Sequence, residues 1–203
     1  MAPQTRTSSR RSAAARRDQL LDVTSRQLSE RGFHGLSIEA VATAAGVTRA
    51  TVYLHFKDLQ ELLETVIERE TSRALAQFSE TALTNLDEGD PRELMLNALD
   101  AYLNAVKSQP TTWRLILMPP EGAPQALRDK IAAGRAAALQ RLAAAVQPLV
   151  DRNPQMPDAE LTARILSALS DEYARLVLDR SGRFAVPRLV AHARWWLQQS
   201  PLE

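Results

Sequence analysis

The sequence predicts an all-α protein. Alanine and leucine dominate, only 7 of 203 residues are glycine, and aromatics make up 5%. Window after window also repeats apolar residues at spacings of three and four, the period of a helix face packed on a core. The length accommodates one domain or two modest ones and is enough to bury a sizeable core.

The chain has no cysteine, which removes disulfides, thiolate metal sites and cysteine nucleophiles. A reducing cytoplasm fits that composition. The N-terminal "MAPQTRTSSRRSAAARR" has arginines but no apolar segment behind them to act as a signal peptide, and no run of eighteen apolar residues occurs. A membrane partner is not expected. The net charge of +1 hides an asymmetry: residues 1–57 hold nine Lys/Arg against four Asp/Glu, and the rest sixteen against twenty. The N-terminal end is suited to a polyanion, and the remainder is not.

Residues 1–11 are polar and rich in Ser, Thr and Arg, and read as a flexible basic arm. A first helix is predicted from Ser12 to Arg31, with Leu20, Leu21, Thr24 and Leu28 as its inward stripe and Gly32 as its stop. Ser37 caps a short helix through Ala44. Gly46 takes the turn, and Thr48 caps a further helix through Leu54. Asp58 with Glu61 forms a capping box that opens a long helix carrying Leu59, Leu62, Leu63, Val66, Ile67, Leu75 and Phe78. After "NLDEGD", Asp90, Pro91 and Glu93 open a helix bearing Leu94, Leu99, Tyr102, Leu103 and Val106. A short apolar segment ends at Pro119 and Pro120, and a long alanine-rich helix follows. Helices over 158–180 and 187–199 are separated by Gly182 and Pro187. That makes about nine helices, divided into a helix-turn-helix domain over 12–57, a larger helical domain over 58–200 and a tail over 201–203.

Two short helices joined by a glycine-containing turn are the helix-turn-helix signal. In that motif the second helix enters the DNA major groove and flanking groups hold phosphates. Val47, Val52 and Phe56 go to the core, which leaves Thr48, Arg49, Thr51, Tyr53, His55 and Lys57 outside. Arg49 is the candidate for a guanine edge, because its fork can donate two hydrogen bonds. Thr48 and Thr51 suit thymine methyls or phosphates, and Tyr53, His55 and Lys57 suit phosphates. The plainer alternatives are a solvated arginine at 49 and a packing histidine at 55.

The stretch "LSIEAVATAAGVTRATVYLHFKDLQELL", Leu36 to Leu63, resembles the DNA-binding domain of the tetracycline-repressor (TetR/AcrR) family of bacterial transcriptional regulators. The family pattern is met by Ser37, Val41-Ala42, Ala45-Gly46-Val47-Thr48, Ala50 and Val52-Tyr53-Leu54-His55-Phe56. It departs at Ala50, where glycine is common, and at Leu59-Gln60, where Lys-Glu is common, so Leu59 cannot make that lysine's phosphate contact.

The resemblance implies that residues 58–200 form an all-helical effector-binding and dimerisation domain. It further implies a homodimer built on the last two long helices, and repression of nearby genes until a small ligand binds. Candidate interface residues are Leu161, Ile165, Leu169, Tyr173, Leu176, Leu189, Trp195 and Trp196. Candidate pocket residues are Phe78, Met95, Leu99, Tyr102, Trp113, Leu117 and Met118, with Arg114, Glu172 or Arg175 to orient a polar group. The same aromatic and methionine residues would equally serve as core. The expected effector is mainly apolar.

An enzyme is not expected. His34, His55 and His192 are scattered, and no nucleophile elbow, zinc-binding helix or phosphate loop occurs. Asp87/Glu88 and Asp171/Glu172 are adjacent acid pairs and read as solvated surface. No metal or other cofactor is expected. The expected partners are double-stranded DNA, a second copy of the chain and a small effector. The alternative reading is a constitutive DNA-binding or protein-interaction regulator without an effector, and a large apolar cavity would distinguish the two.

Overall fold

The computed structural model describes residues 5–81, 89–153, 155, 156 and 158–199, with side chains from residue 13 onward except that of Thr81. Asp87, Glu88, the tail and the first four residues of the expected arm lie outside them. Among the described residues there are nine helices and no strand: α1 Thr5–Arg31, α2 Ile38–Ala45, α3 Arg49–Tyr53, α4 Leu59–Thr81, α5 Pro91–Ser108, α6 Pro110–Leu117, α7 Gln125–Arg152, α8 Ala159–Val177 and α9 Val186–Gln198.

One boundary needs correction. α1 begins at Thr5 and not at Ser12, so the backbone of residues 5–11 is helical where an arm was expected. No Pro or Gly stands between Pro3 and Gly32, and the alanine-rich start of the predicted helix propagates toward the N-terminus without meeting a breaker.

The caps explain the other starts. Ser37 Oγ accepts from the Ala40 N–H at 3.1 Å, and Gly46 closes α2 at φ 66°, a left-handed conformation that glycine adopts without Cβ strain. Asp58 accepts from the Glu61 N–H at 2.9 Å while Glu61 reaches back to the Lys57 N–H at 2.7 Å, a reciprocal capping box. Asp90 and Asp158 cap α5 and α8 from one side only, accepting from the Arg92 and Leu161 N–H groups.

α1 to α3 close over one core. Leu20, Leu28, Val41, Val52 and Phe56 are within 1% of complete burial, together with Leu62 and Val66 from the start of α4. Gln19 and Gln27 of α1 donate to the backbone carbonyls of Ala45 and Ala40, at 3.0 and 3.1 Å, and lock α2 against α1. Leu115 of α6 is also buried in this core. Fully burying a leucine stabilises by about 1.5–3 kcal/mol, so α6 is firmly anchored to the N-terminal domain.

A second attachment lies beside it. Ile67, Ala123 and Leu127 pack with Phe33 and Ile131, joining the α6–α7 loop to the loop after α1. A third is polar: Glu70, 2% exposed, accepts from Thr112 of α6 and pairs with Arg69 at 2.7 Å, while Arg69 reaches Asp22 of α1 at 2.8 Å. α4 to α9 then pack around two further apolar clusters.

Candidate functional site

The polar face of α3 is held outward by its apolar face. Val52 and Phe56 are 0% and 1% exposed, which turns Arg49, Ala50, Tyr53 and Leu54 toward solvent. Thr48 caps α3, accepting from the Thr51 N–H at 3.2 Å, and its hydroxyl lies 3.0 Å from that of Thr51. Arg49 is exposed and pairs with Glu39 of α2 at 3.3 Å. Both partners are solvated, so this pair is worth about 0–1 kcal/mol and yields readily to a stronger partner. Tyr53 is 48% exposed, Thr51 and His55 are half-buried, and Lys57 is exposed with no ion pair among the described residues.

Two groups on this surface escaped the sequence reading. Leu54 is 82% exposed, because α3 ends at Tyr53 and the chain carries Leu54 off the buried face. Helical periodicity could not show this, since the position depends on where a five-residue helix stops. Arg17 of α1 stacks over the Phe56 ring, 4.6 Å from its centroid, and brings a second guanidinium beside the motif. Leu59 is partly buried against the N-terminal core, which accounts for an apolar residue where the family pattern has lysine.

The larger helical part holds a partly open cavity of about 680 Å³ between α4, α5, α6, α7, α8 and α9, within the range typical of small-molecule sites. Phe78, Met95, Leu99, Tyr102, Trp113, Leu117 and Arg175 line it. The rings form an edge-to-face chain, Phe78 to Tyr102 at 6.1 Å and Tyr102 to Trp113 at 5.2 Å. Trp113 donates its Nε1–H to Gln77 Oε1 at 2.8 Å, which fixes the indole.

Three of the candidate polar and wall residues are placed elsewhere. Met118 is 40% exposed beyond the end of α6 and does not line the cavity. Arg114 donates to the Leu178 carbonyl at 2.9 Å and so satisfies the end of α8. Glu172 faces solvent, paired with Arg175 at 3.2 Å. Its neighbour Asp171, read as surface, instead lines the cavity and pairs with Arg135 at 3.3 Å, because successive helix residues point about 100° apart. Arg135 was hidden in the alanine-rich run of α7. Burial raises the Asp171 carboxyl above its usual range, against the opposing pull of Arg135 and Arg175. Burial likewise pushes up the Tyr102 phenol, with Asp171 adding and the two arginines opposing, so Tyr102 is a neutral donor.

The interface candidates also divide. Leu161, Ile165 and Trp195 are 55–58% exposed and Trp196 is 37% exposed, an apolar patch on α8 and α9. Leu169 lines the cavity, and Tyr173 is half-buried with its hydroxyl 2.8 Å from His192 Nδ1. Leu176 packs on the domain's own core, and Leu189 is buried there at 4% exposure. Leu189 therefore cannot contribute to an interface, since the helix pattern that marked it apolar serves the protomer's interior.

Among the described residues, the architecture is thus a helix-turn-helix with an exposed second helix, joined to a larger all-helical part that holds a separate, mainly apolar cavity. Residues 20–66 match the family model "Bacterial regulatory proteins, tetR family". Over 123 residues, 60% of this chain, it is 30% identical to a helix-turn-helix transcriptional regulator of Mycobacterium tuberculosis, and it spans 59% of that relative's length. A TetR-like regulator from Rhodococcus superposes with a TM-score of 0.66 at 25% identity, covering 92% of this chain and 98% of that one. The Bacillus subtilis regulator FadR, solved with stearoyl-CoA, shares the fold with a TM-score of 0.64 at 16% identity, covering 90% and 97%. Residues 20–66 are thus similar to the N-terminal region of TetR-family regulators, and the fold of the described residues is similar to that of a solved TetR-like regulator.

Among the described residues no group of three or more His, Asp or Glu is placed to hold a metal ion, and no helix is long and apolar enough to cross a membrane.

Proposed function

We propose that the protein is a homodimeric, sequence-specific DNA-binding transcriptional regulator, a repressor released from a near-palindromic operator by a small, mainly apolar ligand. The observation that carries this reading is the position of α6. Trp113, Ile116 and Leu117 line the cavity, while Leu115 on the same short helix is buried in the core that supports α3. A ligand that shifts one side of α6 therefore loads the other, because packed cores move between discrete arrangements more readily than they deform.

In this reading Thr48, Arg49, Thr51, Tyr53, His55 and Lys57 form the DNA surface, with Arg49 leaving Glu39 for a base edge. The exposed apolar patch at Leu161, Ile165, Trp195 and Trp196 supports pairing of two copies through α8 and α9. Pairing sets the spacing of the two reader helices at about 34 Å or a multiple. The ligand needs only to favour the badly spaced state over the DNA-ready one. The cavity supports this reading over a constitutive regulator, and the stearoyl-CoA bound by the FadR relative suits an apolar site of this kind. Residues 12–57 would act as the reading unit, and residues 58–200 as the effector and dimerisation unit.

The test is footprinting of the purified protein on genomic fragments, including the region beside its own gene, at fixed near-physiological salt. A discrete near-palindromic footprint is expected. Diffuse, salt-sensitive protection alone would overturn the sequence-specific part, since backbone contacts without base contacts give that behaviour.

A further inference from the structure

The polar groups inside the cavity restrict the chemistry of what it holds. Tyr102 is 93% buried by its 7% exposure, lines the cavity, and makes no hydrogen bond with the described residues through its hydroxyl. This hydroxyl is not one of the fully enclosed unpartnered polar atoms, so it keeps access to the cavity, and a group supplied from that side can pair with it. Asp171 lines the same cavity with its side chain 21% exposed, and as a carboxylate it can only accept.

Charge narrows the choice further. Arg135 is paired with Asp171 at 3.3 Å, and Arg175 with Glu172 at 3.2 Å and Asp171 at 3.9 Å. A ligand carboxylate entering this cluster meets the like charge of Asp171 in a half-buried setting, with Arg135 and Arg175 already engaged; of the other cations on the wall, Lys130 and Arg164 are paired with Glu68 and Glu160, and Arg141 donates to Ser79 at 3.2 Å. A ligand ammonium meets two arginines. A hydroxyl meets neither penalty, and it both accepts and donates from one atom.

We propose that the cavity recognises a neutral, mainly apolar alcohol or phenol, whose oxygen accepts from the Tyr102 hydroxyl and whose proton is donated to Asp171. The inference rests on the effector reading above and specifies its ligand class. The edge-to-face chain of Phe78, Tyr102 and Trp113 forms the wall for the apolar body, and Tyr102 and Asp171, both on the cavity wall, select the polar end.

The experiment is isothermal titration calorimetry of the full chain with four probes of one chain length: 1-octanol, 1-methoxyoctane, octanoate and octylammonium. 1-Octanol is expected to bind best. The ether, which accepts but cannot donate, should bind about fivefold more weakly, and both ions more weakly still. Tyr102→Phe should weaken 1-octanol about fivefold with an unchanged melting profile. Asp171→Asn should raise octanoate affinity, because Arg135 and Arg175 lose the charge that engages them. Octanoate binding the wild type as well as 1-octanol, or all four probes binding alike, overturns the alcohol proposal and leaves the apolar-effector reading standing. Failure of all four to bind a preparation that gives a discrete DNA footprint overturns both.

Discussion

Thr112 on α6 donates its hydroxyl to the carboxylate of Glu70 on α4, and the two side chains are 3% and 2% exposed. The contact ties the helix that lines the cavity to the helix that leaves the helix-turn-helix unit. Glu70 also holds Arg69 at 2.7 Å and Arg73 at 3.4 Å, and Arg69 passes the connection to Asp22 on α1. A buried carboxylate is tolerated here because each of its oxygens has a partner.

Removing that carboxylate leaves Arg69, whose side chain is only 14% exposed, with Asp22 as its remaining acidic partner. Glu70→Ala should lower stability by about 3–5 kcal/mol in urea unfolding, the usual cost of breaking a buried pair from one side. Thr112→Val, which keeps the shape and removes the donor, should cost about 1.5–3 kcal/mol, with Thr112→Ser close to wild type. Equal midpoints for Thr112→Val and wild type would show that this contact does not hold α6 in place.

Gly122 sits at φ 76°, and a Cβ placed on it would come within 2.7 Å of His34 Nε2. Gly46 is also left-handed, at φ 66°, but has open space around it. Gly46→Ala should therefore cost only the backbone strain, about 1–2 kcal/mol. Gly122→Ala should cost more, because the His34 ring must also move and the joint at Phe33, Ala123 and Leu127 loosens with it. Thermal melts of the two variants side by side give the order, and a smaller loss at Gly122 would count against a tightly packed joint.

Binding to an operator should separate Arg49 from Lys57. Arg49→Ala should lose about 1–3 kcal/mol of discrimination against a substituted base pair, while Lys57→Ala should weaken all sequences alike and reduce the salt slope by about one. Competition titrations against specific and scrambled duplexes, repeated over a salt series, read both quantities. A uniform loss for Arg49→Ala would assign it to phosphate.

Ile165 and Trp195 are 55% and 57% exposed on α8 and α9. A glutamate at either place costs the protomer little and opposes burial against a second copy. Ile165→Glu and Trp195→Glu should shift sedimentation toward monomer and weaken operator binding, while the helical spectrum stays unchanged. Dimers as tight as wild type in both variants would move the interface elsewhere.

The carboxyl of Asp171 is raised by burial, so the folded chain holds its proton to higher pH than the unfolded chain does. Its contribution to stability is then largest at low pH and declines as pH rises from its ordinary value near 3.8 through the raised folded value. The difference in unfolding free energy between wild type and Asp171→Asn should fall across that acid window and level off above it. Denaturant titrations at several pH values measure the difference, and a rise with pH would mean that Arg135 and Arg175 outweigh burial.

Local chemistry made much of this molecule readable before folding. The caps at Ser37, Thr48, Asp58, Asp90 and Asp158, the glycine at position 46, and the apolar residues at helical spacing are properties of a few consecutive residues, so helix class, number and order were legible in them. The family resemblance came from the same kind of signal, a short motif whose spacing is dictated by one turn and one core. Tertiary packing decided what periodicity leaves open, namely which of two adjacent polar residues faces inward and which apolar stripe is interior. Asp171 points into the cavity while Glu172 faces water, and Leu189 joins the protomer's core while Trp195 stays outside, although each pair looks alike in sequence. Arg135 and Leu54 gave no local sign of their positions, because burial is set by neighbours distant along the chain. The cavity itself belongs to no segment, since it exists only where six helices fail to meet.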